Sequence, residues 1–213
     1  MKPRYWDEAA TALARRDRVL GRLIRRHPDI HLKRRSDPFT TLARAIVAQQ
    51  ISVKAADAIW RRFVACVGRM PPRGFPRLDP ERVAVARLED LRRCGLSQRK
   101  AEYLVDLAAP FASGRLDPKR WKSLDDEALI AALVDVKGIG RWTAEMFLIF
   151  HELRPDVLPV DDIGLQRAVG THYNAGKRLD AKAIQALAQA WRPWRSVATW
   201  YLWRSLDPIP VEY

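Results

Sequence analysis

The sequence of 213 residues holds only two cysteines, Cys66 and Cys94. That is too few for a disulfide framework, or for a four-cysteine zinc or iron–sulfur site built from one chain. The pair is most simply read as small core residues of a reduced, intracellular protein. Histidine is also sparse. His27, His31, His151 and His172 are scattered, and Pro28 interrupts the only pair at helical spacing, which argues against a metal-ligating face there. No apolar run approaches membrane length, and the opening residues MKPRYWDEAA carry no apolar signal region, so the expected location is the cytoplasm, away from any membrane. Convincing alternating strands, internal repeats, low-complexity tracts and long linkers are missing as well.

What is present is positive charge and helical period. Lys and Arg total 38 against 25 Asp and Glu, a formal net charge of +13 with a pI near 10.3. Such an excess favours a polyanionic partner, nucleic acid ahead of an anionic membrane surface; an ordinary basic surface is the plain alternative. A nucleic-acid partner makes the expected location nucleoid-associated. Apolar spacing predicts a first helix from about Arg4 to Arg26, ended by Pro28, and a second opened by Asp37 and Pro38. Ser52 caps a third that runs to about Val67, and the proline-rich stretch from Arg69 to Pro80 reads as a loop. Short helices follow near Pro80–Val85 and Leu88–Arg93, and Ser97 starts another to about Phe111. Asp117-Pro118 starts another short helix, Ser123-Leu124-Asp125-Asp126-Glu127 begins a further one, and 162–172, 180–191 and 195–206 read as three more helices. The fold class is therefore all-α, with roughly ten short helices in two lobes separated by a cleft. The central lobe is expected over about 37–135, with 125–150 as a helix–hairpin–helix. The terminal lobe is expected from 1–36 with 150–213.

The chemistry concentrates between Leu133 and Arg167. Lys137-Gly138-Ile139-Gly140 sits between two helical patterns. Glycine permits positive φ and close backbone approach, and free amides at a helix N-terminus bind phosphate. Lys137 and Arg141 add charge beside them, and Ile139 is the apolar pin between the helices. From the glycines alone, a tight structural turn explains the pattern equally well. GIG is not a dinucleotide fingerprint, since no strand precedes it and the third glycine is missing. Nor is Gly170 to Lys177 a phosphate-binding P-loop, because the spacing is one too long and Arg178 replaces the required hydroxyl residue. About twenty residues after the hairpin come Asp161 and Asp162, at the start of a helix. Taken alone they read first as helix caps.

The run Leu133 to Ala144, followed by Leu158-Pro159-Val160-Asp161-Asp162, resembles the helix–hairpin–helix DNA glycosylase superfamily, and within it the alkylation-repair 3-methyladenine DNA glycosylase II (AlkA-like) group. Ala48-Gln49-Gln50-Ile51-Ser52, Gly95-Leu96-Ser97 with Arg99-Lys100-Ala101, and Trp191 to Ser196 extend the resemblance over about Asp37 to Trp203. Some members carry an N-terminal β domain, for which this sequence is too short at that end, so the expectation is that it is lacking. The resemblance implies a monofunctional enzyme that flips alkylated purines, 3-methyladenine and 7-methylguanine, out of damaged double-stranded DNA and hydrolyses the N-glycosidic bond, acting as a monomer. A related glycosylase for deaminated or oxidised bases is the second reading. A non-catalytic lesion-binding protein is the third.

By that resemblance, Asp162 is the catalytic carboxylate, steadying the positive charge that develops on the sugar. Trp142, Trp203 and Met146 line the base pocket, with Trp203 the better candidate for stacking on a cationic purine. Met146 stands where some relatives have tyrosine, which bears on the range of bases accepted. Trp142 also stands where strand-cutting relatives place a nucleophilic lysine. DNA contacts are expected from Lys137, Gly138, Ile139, Gly140, Arg141 and Thr143. Gln49, Gln50, Ile51 and Ser52 form the turn that plugs the gap left by the flipped base, with Gln50 aligned best and Ile51 as the alternative. Leu96 wedges the opposite strand while Ser97, Arg99 and Lys100 hold phosphates. No catalytic metal or cofactor is implied; a structural sodium or potassium ion on the carbonyls of Val136 and Gly138 is.

Overall fold

The computed structural model describes residues 2–33, 37–69 and 77–206. In chain order the helices are α1 (Trp6–Arg16), α2 (Arg18–Arg26), α3 (Pro38–Ala48), α4 (Val53–Val67), α5 (Pro80–Ala84), α6 (Leu88–Arg93), α7 (Gln98–Ala112), α8 (Asp126–Val134), α9 (Arg141–Phe147), α10 (Ile163–Tyr173), α11 (Ala181–Leu187) and α12 (Arg195–Leu206). Tighter turns occupy Trp121–Ser123 and Ala188–Trp191, and a wider π turn continues α9 over Leu148–Glu152. The chain divides into two compact units, one of described residues 2–33 with 145–206, the other of 37–69 with 77–144.

In the first unit the helix expected over Arg4–Arg26 is broken in two. Asp17 adopts an extended backbone (φ −136°), and its carboxylate accepts from the amides of Val19 and Leu20 at 2.8 and 3.0 Å. A short acidic side chain that caps the following turn competes with helix continuation, and this one outweighs the continuous apolar stripe. The other carboxylate oxygen of Asp17 accepts from the Tyr173 hydroxyl (2.8 Å) and the Trp191 indole (3.0 Å), tying α2 to the end of α10 and to the turn before α12. Leu13, Leu20, Leu165, Val169, Ile184, Trp191 and Tyr201 are all buried around that junction.

In the second unit the expected caps form. Asp37 accepts from Thr40 (2.9 Å), Ser52 from Ala55 (3.3 Å) and Ser97 from Lys100 (3.3 Å), each offsetting an amide that the first helical turn leaves unpaired. Phe39, Leu42, Ile46, Phe63, Leu91, Leu104 and Leu107 fill the core. Three local expectations are corrected and a fourth is located. The stretch read as a loop from Arg69 begins and ends in a two-strand antiparallel ladder, β1 (Gly68–Arg69) against β2 (Arg77–Leu78), pinned where the Leu78 amide donates to buried Thr40 Oγ1 at 3.2 Å; residues 70–76 lie outside those described. Asp117-Pro118 opens a turn that leads into Trp121–Ser123 rather than an α-helix. The helix expected to begin over Ser123–Glu127 does begin there, with Asp125 as its cap, accepting from Ala128 at 2.7 Å. Finally, Cys66 is exposed, while Cys94 is buried and burial pushes its thiol up to about 11.

Candidate DNA-processing site

The hairpin lies in the second unit. Gly138 has φ +86°, and a Cβ there would stand 2.4 Å from the Tyr103 ring, so both backbone conformation and packing demand glycine. Gly140 has nothing within 4 Å of its missing Cβ and is exposed. Among the described residues no acceptor takes the amide N–H of Gly138 or of Gly140. Ile139 is 3% exposed and pins the turn. The Lys137 amide, by contrast, donates to the Asp106 carboxylate at 2.8 Å. Arg141 donates with both terminal nitrogens to Glu127 (2.9 and 2.5 Å), so its fork is engaged within the protein rather than presented to a phosphate. Thr143, expected to touch DNA, is buried. Trp142 is 41% exposed.

The turn after α3 packs against the same hairpin. Gln49 Nε2 donates to the Gly138 carbonyl at 2.9 Å. Gln50 is exposed with φ +58°, a left-handed conformation that costs a non-glycine residue on the order of 1 kcal/mol. Ile51 and Ser52 are exposed beside it, and Ser52 is the α4 cap. Lys100 donates to the carbonyls of Val47 (2.8 Å) and Gln49 (2.7 Å), and its partial burial lowers its pKa. It is therefore an anchor for this turn rather than a phosphate ligand. Leu96 is 4% exposed, which corrects its expected role as a projecting wedge: the side chain belongs to the core beneath the turn. Ser97 is exposed and engaged as the α7 cap, and Arg99 reaches the Tyr103 hydroxyl at 3.0 Å.

As for a monovalent cation, the Val136 carbonyl accepts from Ile139 (3.1 Å) and the Gly138 carbonyl from Gln49 (2.9 Å). Each keeps one lone pair, which fits weak ligation of a hard monovalent ion. No cluster of three or more metal-binding His, Cys, Asp or Glu side chains occurs among the described residues.

In the first unit Asp162 caps α10. Its Oδ1 accepts two hydrogen bonds of 2.7 Å, one from the Leu165 amide and one from the Trp203 indole N–H. Trp203 in turn stacks on Phe150, with centroids 5.7 Å apart and planes 10° from parallel, so one indole face is already covered. Beneath the pair lies Gly164, where a Cβ would come within 3.1 Å of Asp162 Oδ1 and 3.2 Å of the Trp203 ring. Asp161 is exposed, Asp162 and Trp203 are half-buried, and so is Met146. The π turn delivers Phe150 to this place, and its extra residue per turn is invisible to a 3.6-residue pattern.

Two glycine amides with no acceptor among the described residues and a carboxylate held by an indole set the chemical frame for comparison with known proteins. Residues 43–195 match the family model described as HhH-GPD superfamily base excision DNA repair protein. The chain belongs to that superfamily. Within it, it falls in the 3-methyladenine DNA glycosylase branch. A putative DNA-3-methyladenine glycosylase of Bacillus subtilis, YfjP, is 32% identical over 79% of this chain, which spans 59% of that relative's length. The 3-methyladenine DNA glycosylase Mag1 of Schizosaccharomyces pombe, solved in complex with abasic DNA, superposes with TM-score 0.79 at 31% identity, covering 97% of this chain and 98% of that one. A DNA-3-methyladenine glycosidase from Bacillus halodurans gives 0.81 at 36% identity, covering 95% and 90%. Both structures support the all-α, two-lobed HhH-GPD architecture. Among the described residues no helix is long and apolar enough to cross a membrane.

Sequence reasoning missed Tyr103, Asp106, Phe150 and Gly164. Tyr103 and Asp106 follow Lys100 at three-residue steps on α7, a signal that was readable; Gly164, two residues after the selected carboxylate, was readable too.

Proposed function

We propose that this chain is a monofunctional DNA glycosylase of base excision repair that flips alkylated purines, 3-methyladenine and 7-methylguanine, out of double-stranded DNA and hydrolyses their N-glycosidic bond. The observation that carries the reading is Asp162 at the N-terminus of α10, with Oδ1 held by Leu165 and Trp203 at 2.7 Å each. A purine alkylated at N3 or N7 is cationic, so it departs as a neutral base without a general acid. As the bond breaks, positive charge develops on the sugar. A carboxylate whose orientation is already fixed opposes that charge without reorganising. Water then adds to the anomeric carbon and its proton passes to the carboxylate or to solvent, leaving an abasic site. Trp142 stands where a lyase would need an amine, so no imine forms with the sugar and the strand stays intact. The exposed Gln50 fills the space vacated in the stack. The names of the similar proteins from Bacillus and Schizosaccharomyces support the methylpurine substrate.

The test is product analysis on randomly methylated DNA. Wild-type protein should release 3-methyladenine and leave strands that break only on alkaline treatment. Asp162→Asn should release none while still binding duplex. Release confined to deaminated or oxidised bases would move the enzyme to another lesion class, and strand scission without alkali would contradict the monofunctional assignment.

A further inference from the structure

Three residues of α7 hold the two DNA-facing elements of the second unit in register. Lys100 donates to the carbonyls of Val47 and Gln49 at 2.8 and 2.7 Å, closing the C-terminal end of α3 where the helix dipole favours a cation. Tyr103, one step along, lies under Gly138, whose absent Cβ would meet its ring at 2.4 Å. Asp106, a further step along, accepts from the Lys137 amide at 2.8 Å. The spacing of i, i+3, i+6 makes one ridge of the helix, roughly 9 Å long from Lys100 to Asp106 at 1.5 Å per residue. Gln49 closes the arrangement, its side chain donating to the Gly138 carbonyl at 2.9 Å while its own carbonyl receives Lys100. The turn carrying Gln50 and the hairpin are thus each fastened to α7 and also to each other. Gln50 itself sits in a left-handed conformation that local preference disfavours (φ +58°), so neighbouring contacts have to maintain it.

We infer that Lys100, Asp106 and Gln49 are positioning residues that set the spacing between the plugging turn and the backbone-gripping hairpin, so that the base-flipped state is stabilised by a preformed α7 platform. The inference rests on the glycosylase reading for its meaning, but its test does not need base release. Removing the Lys100 ammonium leaves two carbonyls at the end of α3 without their donor and frees the turn, while the glycine amides of the hairpin stay where they are. Binding to undamaged duplex, governed by the hairpin, should change little. Binding to a site that must be held open should suffer.

The experiment compares wild type, Lys100→Met, Lys100→Arg and Gln49→Leu by fluorescence anisotropy on two duplexes of equal length, one undamaged and one with a central abasic site. A 2-aminopurine beside the site reports unstacking, and thermal unfolding is followed in parallel. Lys100→Met and Gln49→Leu should lower the preference for the abasic duplex about tenfold, the scale expected from losing a charge-assisted or buried hydrogen bond, and quench the 2-aminopurine signal. Affinity of Lys100→Met for the undamaged duplex should stay within about threefold, since its partners Val47 and Gln49 lie outside the hairpin. Lys100→Arg, which retains a donor, should recover most of the preference. Equal losses on both duplexes, or an unchanged preference in Lys100→Met, would overturn the inference. If wild-type protein prefers abasic DNA yet releases no base from methylated DNA, the glycosylase reading fails while the platform stands.

Discussion

The two sets of candidate site residues solve the same problem, rigidity without bulk, by opposite means. The hairpin half works through main-chain groups. The groups we propose for gripping DNA are the amides of Gly138 and Gly140, and the side chains around them (Gln49, Tyr103, Asp106) contact the hairpin backbone. The carboxylate half works through side chains. There the backbone supplies a helix terminus and a missing Cβ at Gly164, and the chemistry we propose sits on Asp162, whose carboxylate is held by Trp203, itself stacked on Phe150. A backbone device tolerates changes of side-chain chemistry at its tips but no change in conformation. A side-chain device tolerates modest backbone movement but no loss of a functional group. Binding and catalysis should therefore separate cleanly under mutation.

The sharpest cut is Asp162→Asn. It keeps size and one capping acceptor but removes the charge, and should lower single-turnover release of 3-methyladenine by at least about 100-fold, the range seen when an electrostatic stabiliser of a transition state is lost. Duplex affinity should be retained. Next comes Gly138→Ala, which places a methyl 2.4 Å from the Tyr103 ring at φ +86°. It should destabilise the protein by about 1–3 kcal/mol in denaturant titration and weaken duplex binding more than tenfold. Pairing it with Tyr103→Ala should recover only part of the steric cost, because the Cβ at position 103 would still stand 2.9 Å away. Trp203→Phe keeps a ring to stack on Phe150 but deletes the indole donor to Asp162. Chemistry should slow about tenfold, with substrate binding changed far less, as expected for a lost hydrogen bond to a charged group. Gly164→Ala presses on both Asp162 and Trp203 from beneath at 3.1–3.2 Å, and a fall of roughly threefold to tenfold in the same rate is expected, with no effect on duplex binding. The smallest effect belongs to Glu127→Gln. It breaks an exposed ion pair with Arg141 and should cost at most about 1 kcal/mol of stability. It should also release the Arg141 fork, so duplex binding at low salt should rise slightly. A fall would mean that the pair itself shapes the hairpin.

Much of this was legible in the sequence. Asp37, Ser52, Ser97 and Asp162 announced their helices because an N-cap is a local device, fixed by one side chain and the amides two or three residues on. The hairpin glycines were legible for the same reason. What failed was either a competition or a long-range packing fact. Asp17 looked like one acid in an arginine-rich helix, and only its partners Tyr173 and Trp191, more than 150 residues away in sequence, show why a break there is stabilised. Leu96 looked like an exposed tip because it sits between a glycine and a cap, yet burial of a leucine is decided by what packs over it. Lys100 and Arg141 looked like phosphate ligands because they are basic residues beside a binding motif. Their actual acceptors, two carbonyls and Glu127, lie elsewhere in the chain. Charge is easy to count in a sequence, but its commitments inside the fold are not.

The π turn at Leu148–Glu152 has one more implication. Backbone hydrogen bonds there reach five residues along instead of four, and Leu153, at φ +56°, ends the turn with its carbonyl accepting from the Tyr5 hydroxyl at 2.6 Å. Every side chain after such a turn is phased by the surplus residue. Deleting Leu148 or Ile149 would set Phe150 one position back along the turn, about 100° around the axis relative to α9, and so off the face of Trp203. In this short span the number of residues decides which side chain meets Trp203, and an alignment that closes a one-residue gap there would pair the wrong aromatic side chains.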